Sequence, residues 1–137
     1  MVKKEEHYIQ VGVFKWINLV KEMYPALKNA YAIPNGGSRN EKEAGNLKAE
    51  GVRAGVPDVF LSYPSKEFHG LYIEHKTKTG KLSKDKPIYI KNTKIVRRTR
   101  EGQETWFERL QSAGYRCEVS RSIDQSIEIF KDYLGIK

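Results

Sequence analysis

The chain has 137 residues, 39% of them hydrophobic and 31% charged: a length that suits one domain, 1–137, and a globular composition that excludes a disordered chain. No apolar run approaches the roughly 20 residues of a membrane-spanning helix, the opening MVKKEEHYIQ has no apolar leader segment, and the single Cys117 excludes an internal disulfide framework and a Cys-rich zinc site, so a cytoplasmic setting is expected. A net charge of +8 and a pI near 9.5 favour a polyanionic partner.

From Glu5 to Tyr24, Ile9, Val13, Trp16, Ile17, Val20 and Tyr24 recur at spacings of three and four, which predicts an amphipathic helix ended near Pro25. NAYAIPNGGSRN predicts a short strand around Tyr31–Ile33 and then a Gly-rich loop, with Arg39 on its rim. EKEAGNLKAEG predicts a short polar helix stopped at Gly51. Two apolar runs follow, Val59-Phe60-Leu61 and Leu71-Tyr72-Ile73, each read as a strand.

IYIKNTKIVRR has two β-prone runs around Asn92-Thr93 and predicts a projecting basic hairpin over roughly Ile88 to Arg97. GQETWFERLQSAGY predicts a helix from about Glu101 with Trp106, Phe107 and Leu110 on its apolar side. YRCEVS predicts a strand, and Ser122 with Gln125 suggests a capping box that opens a last helix, Ile123 to Leu134. The fold class expected is α/β, a mixed sheet flanked by helices.

Both central strands carry charge where a core strand should not. Asp58 opens the first, and Glu74 and Lys76 close the second. Residues two apart on a strand share a face, so Glu74 and Lys76 point together while His75 points away. If the strands pair antiparallel, Asp58, Glu74 and Lys76 converge. Two nearby carboxylates repel unless a cation holds both ionised, and hard oxygen ligands suit Mg²⁺. An acidified water with an adjacent ammonium is phosphodiester-hydrolysis chemistry. The bland reading, a salt-bridged strand end, stands about level with catalysis on spacing alone.

Pro57-Asp58 followed by Glu74-His75-Lys76 matches the P-D…(D/E)-x-K signature of the restriction-endonuclease-like nucleases. With GVRAGVPDVFL, LYIEHKTKTGKLS and GQETWFERLQSAGY around it, the chain closely resembles the VRR-NUC branch of that superfamily over roughly Glu5 to Ser120. The resemblance implies a restriction-endonuclease-like core and a DNA endonuclease that uses Mg²⁺ or Mn²⁺. It implies Asp58, Glu74 and the His75 backbone carbonyl as metal ligands and Lys76 as the catalytic lysine. It also implies that Gln103 faces the site and that Glu6, four residues before Gln10, completes it. The family passes almost directly from L-S to Q-x-x-W, so 84–102 reads as a basic insertion.

Standalone members resemble Holliday-junction resolvases, which implies a homodimer acting on branched or duplex DNA. Lys78, Lys81, Lys94, Arg97, Arg98 and Arg100 join Arg39 as candidate phosphate contacts. A nuclease without junction preference and a non-catalytic DNA-binding module are the rival readings. His75 is expected to pack through its ring, and no Gly-rich phosphate loop points to a nucleotide cofactor.

Overall fold

The computed structural model describes residues 2–34, 40–65 and 67–137. Arg39, one of the expected phosphate contacts, lies outside the described residues. The first helix, α1 (Val2–Val20), presents Val13 and Ile17 to the core, where they are buried. It ends earlier than its apolar periodicity predicts. The chain leaves it through a turn at 21–23, and Pro25 opens a short 3-10 helix, Pro25–Asn29, so Tyr24 is not helical.

Strand β1 (Ala30–Ala32) leads to α2 (Glu41–Ala49), whose N-cap Asn40 accepts a hydrogen bond from the Glu43 amide and which buries no residue. Strands β2 (Val59–Leu61) and β3 (Leu71–His75) follow. A separate ribbon of β4 (Lys86–Tyr89) and β5 (Val96–Arg100) precedes α3 (Gln103–Ser112), β6 (Arg116–Ser120) and α4 (Ile123–Leu134). The main sheet has the order β1-β2-β3-β6, antiparallel through β3 and parallel between β3 and β6. This is the mixed α/β sheet the element order predicts.

Alternation along the strands gives the sheet two unlike faces. Val59, Leu61, Leu71 and Ile73 point to one side and pack with Leu27, α1 and the Ile129, Phe130 and Tyr133 side chains of α4 in a single core. Each such aliphatic side chain contributes about 1.5–3 kcal/mol of burial. Phe60 and Tyr72 point to the other side, where their rings stack at 4.4 Å. Glu74 shares that second face, and α3 packs beside it against β6.

The hairpin is longer than its sequence signal, running from Lys86 to Arg100. Asn92 takes a positive φ of 62°, and the Thr93 hydroxyl both donates to the Ile90 carbonyl and accepts from the Ile95 amide, which closes the turn that Asn-Thr only weakly signals. Glu101 and Gly102 stay extended, so α3 starts at Gln103 rather than Glu101. A Cβ at Gly102 would collide with the Lys84 backbone, because the two strands' leads run close together at the root of the hairpin. Asp85 supplies the cap that Gly102 lacks, accepting from the Gly102 amide at 2.7 Å and the Thr105 hydroxyl at 2.6 Å. The ribbon is thereby rooted on α3.

Candidate active site

The β2–β3 register pairs Val59 with Ile73. One step further out, Asp58 stands opposite Glu74 on the face away from the core. The Asp58 carboxylate accepts the His75 amide at 2.9 Å, sealing the edge that β2 leaves when it starts at Val59. A strand residue turns its N–H and C=O to the same edge. The His75 carbonyl therefore looks toward Asp58, the side from which a ligand would be needed.

Glu74 is only 3% exposed. Its Oε2 accepts from the Gln103 side-chain Nε2 at 2.8 Å and lies 3.9 Å from the Lys76 ammonium. Its Oε1 is buried and no donor group reaches it, the Asp58 carboxyl beside Glu74 being an acceptor that can only share the proton of the pair. Burial and the Asp58 carboxylate together push the Glu74 pKa up to about 9. Asp58 is also raised by burial, but the His75 amide draws it back. The pair therefore holds a proton near neutral pH, with Glu74, the more buried member, the more strongly raised of the two.

Gln103 reaches the site because Ser83 clamps its helix end. The Ser83 amide donates to Gln103 Oε1 at 2.9 Å, and the Ser83 hydroxyl accepts from the Gln103 amide at 3.1 Å. Glu6 extends from α1 toward the same space, close enough that Lys76, Asp58 and the Thr77 amide all act on it, with burial raising its pKa. Among the described residues no group of three or more His, Cys, Asp or Glu side chains is gathered tightly enough to hold a metal by itself. Glu6 thus belongs to the wall of the site and not to a three-carboxylate cage.

A cleft of about 880 Å³ opens over these groups, and its lining includes Glu6, Asp58, Glu74, Lys76 and Gln103 together with Lys84, Lys86 and Arg100. Among the described residues, Arg100 is the one expected phosphate contact that lines it. Arg97 and Arg98 are exposed on β5, Lys94 is exposed at the hairpin tip, and Lys78 and Lys81 are exposed on the loop after β3.

His75 does more than pack. Its Nδ1 lies 3.2 Å from Gln10 Oε1 and its Nε2 2.9 Å from the Ser126 hydroxyl, which meets Ser120 Oγ at 2.6 Å. With Gln10 accepting, Nδ1 carries the proton and Nε2 receives one from Ser126. Burial holds the ring neutral, its pKa lowered to about 4. The chain of bonds joins α1, β3, β6 and α4 directly behind the acidic pair.

Sequence reasoning missed Arg121, whose guanidinium donates to the Thr77 carbonyl at 2.6 Å and the Gly80 carbonyl at 2.7 Å and so braces the turn that follows Lys76. It also missed Asp85, and it counted Lys84 and Lys86 among the cations of the 84–102 insertion without singling them out as cleft-lining residues. Basic residues in a basic loop carry no local signal that separates a cleft wall from solvated surface.

A mixed α/β sheet flanked by helices, with this strand order, is consistent with a restriction-endonuclease-like fold. More narrowly, the fold is similar to that of a VRR-NUC domain. Among solved structures the chain is similar to one described as a VRR_NUC domain protein, with 24% identity and a TM-score of 0.65, the match covering 96% of this chain and 89% of that one. No family model matches the chain. No curated protein matches it.

Proposed function

We propose that the protein is a divalent-metal-dependent DNA endonuclease that hydrolyses phosphodiester bonds. One observation carries this reading: a buried carboxyl, Glu74, and a half-buried one, Asp58, face each other across β2 and β3, the first with an oxygen that no donor satisfies, beside a lysine in a cleft that cations also line. An orphaned carboxylate oxygen in a buried acid pair fits a hard cation, and Mg²⁺ or Mn²⁺ is commonly held by one or two carboxylates plus waters. Asp58, Glu74 and the His75 carbonyl would hold it. Bound there, it would supply Lewis acidity to the phosphate and to a water.

The remaining work falls to this chain's own groups. Lys76, 3.9 Å from Glu74 Oε2, places an ammonium where negative charge develops on the phosphate. Gln103 holds the Glu74 carboxylate in one orientation. The Asp58 bond to the His75 amide fixes the second carboxylate to the strand edge. Arg121 steadies the turn after Lys76. Lys84, Lys86 and Arg100 line the same cleft and would neutralise phosphates next to the cut.

A domain with one such site makes one cut, so paired cuts in a branched substrate need two protomers. A structure-specific homodimer of the junction-resolvase kind is the form of the activity we propose. The test is incubation with labelled junction, flap, fork and linear DNA, with and without Mg²⁺. Wild-type protein should cut only with the metal. Asp58→Asn and Glu74→Gln should lose nearly all cutting while remaining folded, and Lys76→Ala should lose rate more than metal affinity. Undiminished cleavage by Asp58→Asn protein would overturn the assignment.

A further inference from the structure

The β4–β5 ribbon stands apart from the rest of the fold. It forms its own two-stranded sheet, and among the described residues none of its side chains joins the core. Its root lies at the cleft, where Lys86 and Arg100, partners in the register, both line the wall. Its far end differs in character. Tyr89 pairs with Val96, and the Ile90 amide donates to the Ile95 carbonyl at 2.8 Å, so the last two rungs are apolar. All four side chains are exposed, from 44% at Ile90 to 62% at Ile95. Lys91 and Lys94 flank the turn just beyond them and are exposed as well.

Leaving four large apolar side chains in water is unfavourable unless a partner covers them. The charge of the ribbon decides which partner. Residues 86–100 hold six Lys and Arg and no Asp or Glu. A second copy would bring the same cations against them, whereas a polyanion is attracted. Consecutive strand residues point to opposite faces, so Tyr89 with Ile90, and Ile95 with Val96, make the tip apolar on both sides. A ribbon that lies flat on a surface needs one such face. A ribbon that enters a gap uses both.

Resting on the nuclease reading above, we infer that the ribbon tip is a wedge that enters branched DNA at the branch point, where Tyr89, Ile90, Ile95 and Val96 cover base faces left unstacked. In a continuous duplex each base pair is covered by its neighbours, and opening a step costs free energy. At a branch the stack is already interrupted, so the tip gains cover at little cost. Tyr89 supplies a ring for stacking on a base, and Lys91 and Lys94 meet the phosphates beside it. The turn is set in advance by the Thr93 hydroxyl bonds to Ile90 and Ile95, so little loss of freedom opposes entry. Asp85 anchors the root on α3. Ile90 lies four residues beyond Lys86, about 13 Å along the strand, or about four base-pair steps from the cleft wall. The tip selects the substrate and touches no reacting atom.

The experiment compares a labelled four-way junction and a flap with a continuous duplex of the same sequence. Binding is measured with Ca²⁺ replacing Mg²⁺, and cut positions are mapped with Mg²⁺. Wild type should prefer the branched substrates and cut within about four nucleotides of the branch. Tyr89→Ser/Ile95→Ser protein should lose roughly tenfold of that preference, the order expected for one lost aromatic stack, and scatter its cuts, while binding and cutting the continuous duplex as wild type does. Tyr89→Phe/Ile95→Val should behave as wild type, as should Leu19→Ser/Met23→Ser, which removes exposed apolar groups elsewhere. A photocrosslinker in place of Ile95 gives a reading that does not depend on the serine variant folding: it should label nucleotides at the branch. If the wild type cuts DNA but does not discriminate, if the serine variant keeps the preference and cut sites, or if the crosslink joins two protomers, the wedge falls and the nuclease reading stands. If the wild type cuts no DNA, the nuclease reading falls and takes the wedge with it.

Discussion

A divalent cation placed between Asp58 and Glu74 must displace the proton that the pair holds when no metal is bound. The perturbation is a metal titration at several pH values. Burial and the Asp58 charge lift the Glu74 pKa to about 9. At pH 7 the group lies about two units below that value, so releasing its proton costs about 3 kcal/mol. Apparent Mg²⁺ affinity should therefore be roughly 100-fold weaker at pH 7 than above pH 9, rising about tenfold per unit between.

Isothermal titration at about pH 7 in two buffers of unlike ionisation enthalpy should report release of about one proton per metal. Glu74→Gln protein should show neither the release nor the slope. The same proton appears in stability. Glu74 has a folded pKa above its unfolded value of about 4.5, so its contribution is fully present below pH 4.5 and is lost as pH rises toward 9. Metal-free wild type should melt at falling temperature across that window, and saturating Mg²⁺ should flatten the fall. Buffer-independent heats together with an affinity that stays level from about pH 6.5 to 8.5 would refute the reasoning, because they would mean that no proton stands in the metal's place.

Glu6→Gln should slow cleavage much more than Glu5→Gln, with little change in melting temperature, since only Glu6 reaches into the cleft; equal small effects in a cleavage time course would return Glu6 to the solvent. His75 is buried and neutral with a pKa lowered to about 4 from 6.5, so its contribution to stability is complete above pH 6.5 and disappears as pH falls to 4. A thermal-melt series on His75→Gln protein should lose that acid limb and lower the melting temperature at pH 7, as the bonds to Gln10 and Ser126 are broken or misplaced.

Much of the local structure was written in the sequence, because periodicity and turn chemistry act over a few residues. The spacing of Val13 and Ile17 marks the buried stripe of α1, and Ser122 caps α4 as its position suggests, accepting the Gln125 amide at 3.0 Å. The reciprocal arm of that capping box, though, reaches the Arg121 amide, one residue further back than the pattern implies. The charges at Asp58, Glu74 and Lys76 were conspicuous because strand ends in a core rarely carry them.

Only the tertiary structure decided what those charges meet. The antiparallel register of β2 on β3 sets Asp58 opposite Glu74, whereas a slip of one residue would send it to the core face. Gln103 meets Glu74 because Ser83 and Asp85 root the hairpin on α3, contacts spanning about twenty residues that no local pattern encodes. The Glu74 oxygen that no donor reaches and the brace of Arg121 arise in the same way, from segments distant in the chain. Residue type and spacing determine which elements form. Packing and register determine which side chains share a space, and the chemistry of the cleft depends on that sharing.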